Sequence, residues 1–210
     1  AEVGDEPLLL AQSTPVVIAR DRRAGAQLIE QMASVGAIVM DDGLQNGALK
    51  KDLVIALVDG GRGIGNGLVI PAGPLRAAME FQFGLADAIV VNGSSDEAGR
   101  ETAVIDELRR RFPGPVLQAH VAPQGDCDWV KDQPVLAYSG IGNPARFFAT
   151  LEGLGANVAA TRTFGDHHQF KEREAAELVA TATSLGAQLV TTEKDWVRLS
   201  REGGALEALQ

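Results

Sequence analysis

The sequence predicts an α/β protein with a mostly parallel sheet flanked by helices. Short apolar runs recur along the chain without polar–apolar alternation, as strands buried on both faces do. Stretches with helical spacing lie between them, and strand–helix–strand alternation is the pattern of parallel pairing. The 210 residues are 45% hydrophobic and 22% charged, which places the chain among folded globular proteins with a sizeable core.

Taken in order, Val16–Ala19, Ala37–Met40, Leu53–Val58 and Ala88–Val91 read as buried strands. Asp21–Ser34, between the first two, carries Ala24, Leu28 and Met32 at helical spacing. Val116–Ala119, Val135–Tyr138, Val158–Phe164 and Gln188–Thr191 read as later strands. Asn143 before Pro144 is a capping side chain followed by a proline at the first helical position, and Gly153 and Gly155 close that helix. Glu172–Leu185 is a second clear helix, ended by Gly186. The polar stretch around Gly125 and Pro134 separates two strand–helix blocks. The expected organisation is therefore a lobe over 1–125, a linker over 126–134 and a second, smaller α/β lobe over 135–210.

Charge and cysteine content narrow the function classes. A net charge of −9 argues against a nucleic-acid partner, which needs a basic face, although a local basic pocket for an anionic substrate is compatible with it. The single cysteine, Cys127, allows neither an internal disulfide nor a cysteine-based zinc site and fits a reducing, cytoplasmic setting. No apolar run is long enough to span a bilayer.

Ligands of open parallel sheets bind beyond the carboxyl ends of the strands. Asp41-Asp42-Gly43 and Asp59-Gly60-Gly61 each follow an expected strand, so both carboxylate groups fall at one sheet edge. Such residues suit Mg²⁺ held through water and phosphate oxygens, or a base beside a hydroxyl; Asp-Gly pairs are also ordinary turn formers. Arg62-Gly63-Ile64-Gly65-Asn66-Gly67 is glycine-rich but is neither a Walker A loop nor a dinucleotide fingerprint. Arg76, after the turn Pro71-Ala72-Gly73-Pro74-Leu75, is a candidate for an anion, with a solvated surface arginine the plainer reading. In Asp166-His167-His168, neighbouring histidines cannot both face one metal, but Asp166 can orient an imidazole acting as a base partner; a solvated turn is the alternative. His120 has no partner in sequence and reads as structural. In Thr192-Glu193-Lys194-Asp195, Thr192 caps a helix with Asp195 as its box partner, and Lys194 is placed to reach phosphate.

In order and spacing these pieces resemble the lipid A 4'-kinase (tetraacyldisaccharide 4'-kinase) family along nearly the whole chain. The resemblance is carried by Gly4-Asp5-Glu6-Pro7, Asp21-Arg22, Asp41-Asp42-Gly43-Leu44-Gln45, Gly65-Asn66-Gly67 and Pro71–Arg76. Ala86-Asp87-Ala88, Ser139-Gly140-Ile141-Gly142-Asn143-Pro144, Asp166-His167-His168 with Phe170, and Thr192–Asp195 complete it. It implies a P-loop-kinase-like fold of two lobes with the active site between them. It also implies ATP and Mg²⁺ as cofactors and transfer of the γ-phosphate to the 4'-hydroxyl of a tetraacylated glucosamine disaccharide at the cytoplasmic face of the inner membrane. By the same resemblance Asp41 is expected as the base and His167 as the group that raises its basicity. Asp42, Arg76 and Lys194 are expected to hold the nucleotide, and Asp42 and Asp59 to hold Mg²⁺.

Two departures stand out. Asn46 replaces the histidine that usually ends the family's Asp-Asp-Gly motif, and an amide cannot titrate. No Gly-x-x-x-x-Gly-Lys-Ser/Thr occurs in these residues; in the family that loop and a membrane-contacting helix lie upstream of Gly4. The expectation is therefore little kinase activity from these 210 residues alone, with a non-catalytic sugar- or lipid-phosphate-binding relative as the alternative.

Overall fold

A computed structural model describes residues 4–32, 34–93 and 98–202. In chain order its elements are α1 (Asp5–Leu10), α2 (Arg22–Glu30), β1 (Ile55–Asp59), α3 (Met79–Phe83), β2 (Ala88–Gly93), α4 (Ala98–Arg111) and β3 (Val116–His120). A short 3-10 turn (Asp128–Val130) leads to β4 (Pro134–Ser139), α5 (Pro144–Gly153), β5 (Asn157–Thr163), α6 (Glu172–Leu185), β6 (Gln188–Val190) and α7 (Glu193–Glu202). The chain divides into two compact units, one over Val17–Ala122 and one combining Ala1–Val16 with Pro123–Gln210.

The Val17–Ala122 unit holds a parallel three-stranded sheet in the order β1-β2-β3. Its central strand is the apolar run at Ala88–Val91, and Ile89 and Val91 are fully buried against Ile105, Leu108 and Phe112 of and just beyond α4. Each such side chain contributes roughly 1.5–3 kcal/mol by leaving water. Arg109, Arg110 and Arg111 sit in the last turn of α4, where positive charge complements the helix dipole. Asp87 sets the register of β2: its N–H donates to the Val54 carbonyl and its Oδ2 accepts from the Val54 N–H, both at 2.8 Å.

The other unit is built on a second parallel sheet in the order β5-β4-β6. Here β4 is covered on both faces. Leu136 and Tyr138 pack with Phe170, Ala175, Leu178, Ala182 and Leu199, while Val135 and Ala137 pack with Val130 and Leu151. Burial pushes the Tyr138 phenol up to about 12. Asn143 caps α5 by accepting from the Arg146 N–H at 3.3 Å, with Pro144 opening the helix. Gly186 closes α6 at φ 57°, a left-handed position that glycine occupies without strain.

Two expected strands are corrected. Val16–Ala19 and Ala37–Met40 are not strands, and Val39 is 93% exposed. A strand needs a ladder partner for its backbone groups, and among the described residues none pairs with either run. The described strands form two parallel three-stranded sheets, one in each unit, as two α/β lobes require. Beside the expected 1–125, 126–134 and 135–210, the compact units are Val17–Ala122 and Ala1–Val16 with Pro123–Gln210. Residues 1–16 join the C-terminal unit, and the expected linker contributes Val130, 1% exposed, to its core.

Candidate active site

In the unit containing the C-terminal half, four motifs converge on one hydrogen-bonded cluster. Asp5 opens α1, and its Oδ2 accepts from Arg198 Nε at 2.6 Å and lies 3.0 Å from His167 Nδ1. Burial raises the pKa of Asp5, but the hydrogen bonds from His167 and Arg198 outweigh it and hold the carboxyl below its ordinary range. His167 itself is exposed and sits at φ 58°, a left-handed position held because its N–H donates to the Gly140 carbonyl at 3.1 Å and to Asp166 Oδ1 at 3.0 Å. Lys194 donates to Glu6 Oε1, and this bond is the main cause of the lowered pKa of Glu6.

Beneath this pair lies Asp195, which is fully buried. It accepts from the Ser139 hydroxyl at 3.1 Å, the Thr192 hydroxyl at 2.7 Å, the Gly140 N–H at 3.1 and 3.2 Å, and Arg198 Nη1 at 2.8 Å. Thr192 in turn accepts from the Asp195 N–H at 3.2 Å, so the expected cap of α7 forms and is tied into β4 as well. His168 is a packing residue. Its Nε2 meets Glu174 Oε2 at 2.8 Å, and its ring stacks on Phe164 and meets Phe170 edge-on. The bond from His168 lowers the pKa of Glu174.

In the Val17–Ala122 unit, Asp41 and Asp42 lie exposed on a loop that Lys51 pins by donating to the carbonyls of Gly43, Leu44 and Asn46. Asn46 Oδ1 accepts from the Ala48 N–H at 2.9 Å, a turn-forming bond. Asp42, at φ 54°, pairs with Arg76 at 2.7 Å, so two expected nucleotide contacts meet each other. Asp59 ends β1, and its Oδ1 accepts from the N–H groups of Gly61 and Arg62, both at 2.9 Å. Asn66 joins the two glycine-containing motifs, donating to the Ala72 carbonyl at 2.8 Å while accepting from the Leu68 N–H. A side chain at Gly73 would lie 2.1 Å from Asn66 Oδ1, which explains the glycine there. His120 is exposed at the end of β3.

The chain matches the family described as LpxK, tetraacyldisaccharide-1-P 4'-kinase, over residues 1–208. It belongs to that family. It is 50% identical over 208 residues to the tetraacyldisaccharide 4'-kinase of Methylorubrum extorquens, covering 98% of this chain and 61% of that protein. The enzyme of the same name from Methylobacterium nodulans is 50% identical over 200 residues, covering 95% and 58%. A crystal structure of LpxK from Aquifex aeolicus in complex with ATP matches with 27% identity and a TM-score of 0.66, over 93% of this chain and 60% of that one. The chain thus spans about three-fifths of the length of the relatives it matches.

In this member of the LpxK family, two of the expected site residues have ionic partners inside one unit. Within its own unit His167 meets the Asp5 carboxylate, and the contact lowers that carboxyl's pKa. Lys194 is engaged by Glu6. Among the described residues no group of three or more His, Cys, Asp or Glu side chains gathers to hold a metal. Mg²⁺ does not need one, since it takes one or two carboxylates and fills its shell with water and phosphate oxygens. The exposed hard oxygens of Asp41, Asp42 and Asp59 fit that demand. Sequence reasoning missed Arg198 and the buried role of Asp195. The only local signal was their place in and just after the Thr192–Asp195 motif, where Asp195 and Arg198 are three residues apart and so share a helix face.

Proposed function

We propose that this chain contributes the acceptor-activating residues of an ATP-dependent 4'-kinase acting on a tetraacylated glucosamine disaccharide 1-phosphate at the inner-membrane surface. Among the described residues no helix is long and apolar enough to cross a membrane; the attachment proposed is peripheral. The observation that carries the reading is the Asp5–His167 pair, which joins the Gly4–Pro7 motif to the Asp166–His168 motif.

Asp5 is the base. Both Arg198 and His167 engage its Oδ2, and among the described residues Oδ1 has no partner, so Oδ1 is the oxygen offered to the 4'-hydroxyl. That hydroxyl oxygen attacks the γ-phosphorus, the bond to the β–γ bridging oxygen breaks, the proton passes to Asp5, and ADP leaves. A carboxyl with lowered pKa suffices, because phosphoryl transfer has a loose transition state and asks for positioning more than for a strong base. His167 holds the carboxylate and keeps its own ring at the exposed surface where the acceptor arrives. Mg²⁺, when bound, supplies charge neutralisation on the transferring phosphates. Within the Val17–Ala122 unit, Asp41, Asp42 and Asp59 carry exposed oxygens that would suit it, and Arg76 would suit a phosphate. The exposed Asp42–Arg76 pair is worth little by itself and is free to exchange for those ligands.

The test is Asp5→Asn beside Asp41→Asn in the full-length kinase, with ATP and the tetraacylated disaccharide. Asp5→Asn should lower kcat by about 10²–10⁴-fold at little changed KM for ATP. Asp41→Asn should act chiefly through the Mg²⁺ and ATP concentrations required. If Asp5→Asn keeps kcat within threefold while Asp41→Asn loses it, Asp41 is the base.

A further inference from the structure

Arg198 is 8% exposed and touches three groups at once. Nε donates to Asp5 Oδ2 at 2.6 Å, and Nη1 donates to the Gly140 carbonyl and to Asp195 Oδ1, both at 2.8 Å. His167 uses two of the same acceptors: its ring meets Asp5 Oδ2, and its N–H meets the Gly140 carbonyl. The four residues therefore form a closed ring, Arg198–Asp5–His167–Gly140. Nη2 is buried without a hydrogen-bond partner among the described residues, a cost the fold accepts in holding the guanidinium here.

We propose that Arg198 is a positioning residue for phosphoryl transfer: it ties the side chain of Asp5 and the backbone of His167 to one buried guanidinium, so that Asp5 Oδ1 faces the acceptor hydroxyl. The proposal rests on the reading of Asp5 as the base. A planar fork suits the task because it bonds in two fixed directions at once, and an ammonium cannot reproduce that geometry. Asp195 completes the device. Fully buried and bonded to Ser139, Gly140 and Thr192, it fixes the far end of the guanidinium to β4 and to the start of α7. The charged and titratable groups around Asp5 are Arg198 and Lys194 from α7, His167 with Asp166 beyond it from the loop after β5, and Glu6 from its own helix. Arg198 is the buried cation among them, so its removal withdraws the least screened positive charge beside Asp5.

The test uses the full-length kinase carrying Arg198→Gln, Arg198→Lys or Asp5→Asn, with kcat, KM and the pH profile of kcat measured for each. Arg198→Gln should lower kcat by about 10–100-fold, the scale of a misplaced reacting group, with both KM values within about threefold. Its acid limb should move to higher pH, because Asp5 loses a cation that favours its ionised form. Arg198→Lys should return the acid limb towards its original position, since charge is restored, yet leave kcat low, since the fork is not. A merely structural arginine would not split charge from geometry in this way. The proposal is overturned if either Arg198 variant keeps kcat within twofold, or if kcat falls with no movement of the Arg198→Gln acid limb. If Arg198→Gln does not fold, Arg198→Lys decides by its kcat. Retained turnover in Asp5→Asn overturns the base reading and this proposal together. Lost turnover there, with normal Arg198 variants, overturns this proposal alone.

Discussion

Asparagine at position 195 would keep the shape of the buried hub and remove its charge. Asp195 takes hydrogen bonds from the Ser139, Thr191 and Thr192 hydroxyls, one backbone N–H and a guanidinium. An amide has a single acceptor oxygen and two donor hydrogens, so it cannot serve all of these donors and turns an N–H towards at least one of them. Breaking a buried ion pair by removing one partner costs about 3–5 kcal/mol. Arg198 keeps Asp5 and the Gly140 carbonyl, so the loss falls at the lower end, about 3 kcal/mol. Ser139→Ala removes one of several donors to the same carboxylate and should cost about 1 kcal/mol. Both tryptophans, Trp129 and Trp196, lie in the unit that contains Asp195, so their fluorescence in urea reports that unit. A 3 kcal/mol loss should move the midpoint by about 1–3 M. If Asp195→Asn costs no more than Ser139→Ala, the carboxylate is not the hub of this unit and the reasoning fails.

The two neighbouring histidines should separate cleanly. His168→Ala should cost about 1–2 kcal/mol in the same urea titration through the lost ring stacking and the lost bond to Glu174, whereas exposed His167→Ala should stay within about 0.5 kcal/mol. Acid should also weaken this unit: Asp5, Glu6 and Glu174 have folded pKa values below their ordinary 3.8, 4.5 and 4.5, so their stabilisation is present above those values and is lost as pH falls through the lower folded ones. Thermal unfolding followed between about pH 5 and pH 2 should show the decline, with a shallower slope in Lys194→Met; a slope unchanged by that substitution would remove Glu6 from the account.

Elements whose signals are local were legible in the residues alone. The runs at Val116–Ala119, Val135–Tyr138 and Val158–Phe164 are strands within two residues of where their apolar content places them, and Asn143-Pro144 and Gly186 bound their helices as capping chemistry requires. Local pattern misled at Val16–Ala19 and Ala37–Met40, because apolar content proposes a strand but only a neighbouring strand completes its hydrogen bonds. The motifs of the candidate site were also legible as pieces, down to Thr192 capping the helix that carries Asp195. Their pairing was not. Asp5 meets His167 across 162 positions and Arg198 across 193, and it is the docking of α1 against α7 that brings them together. Residue types and spacing describe what each segment can offer over a few turns of chain. Which carboxylate a histidine meets depends on how distant segments pack, and that choice was made by the tertiary structure.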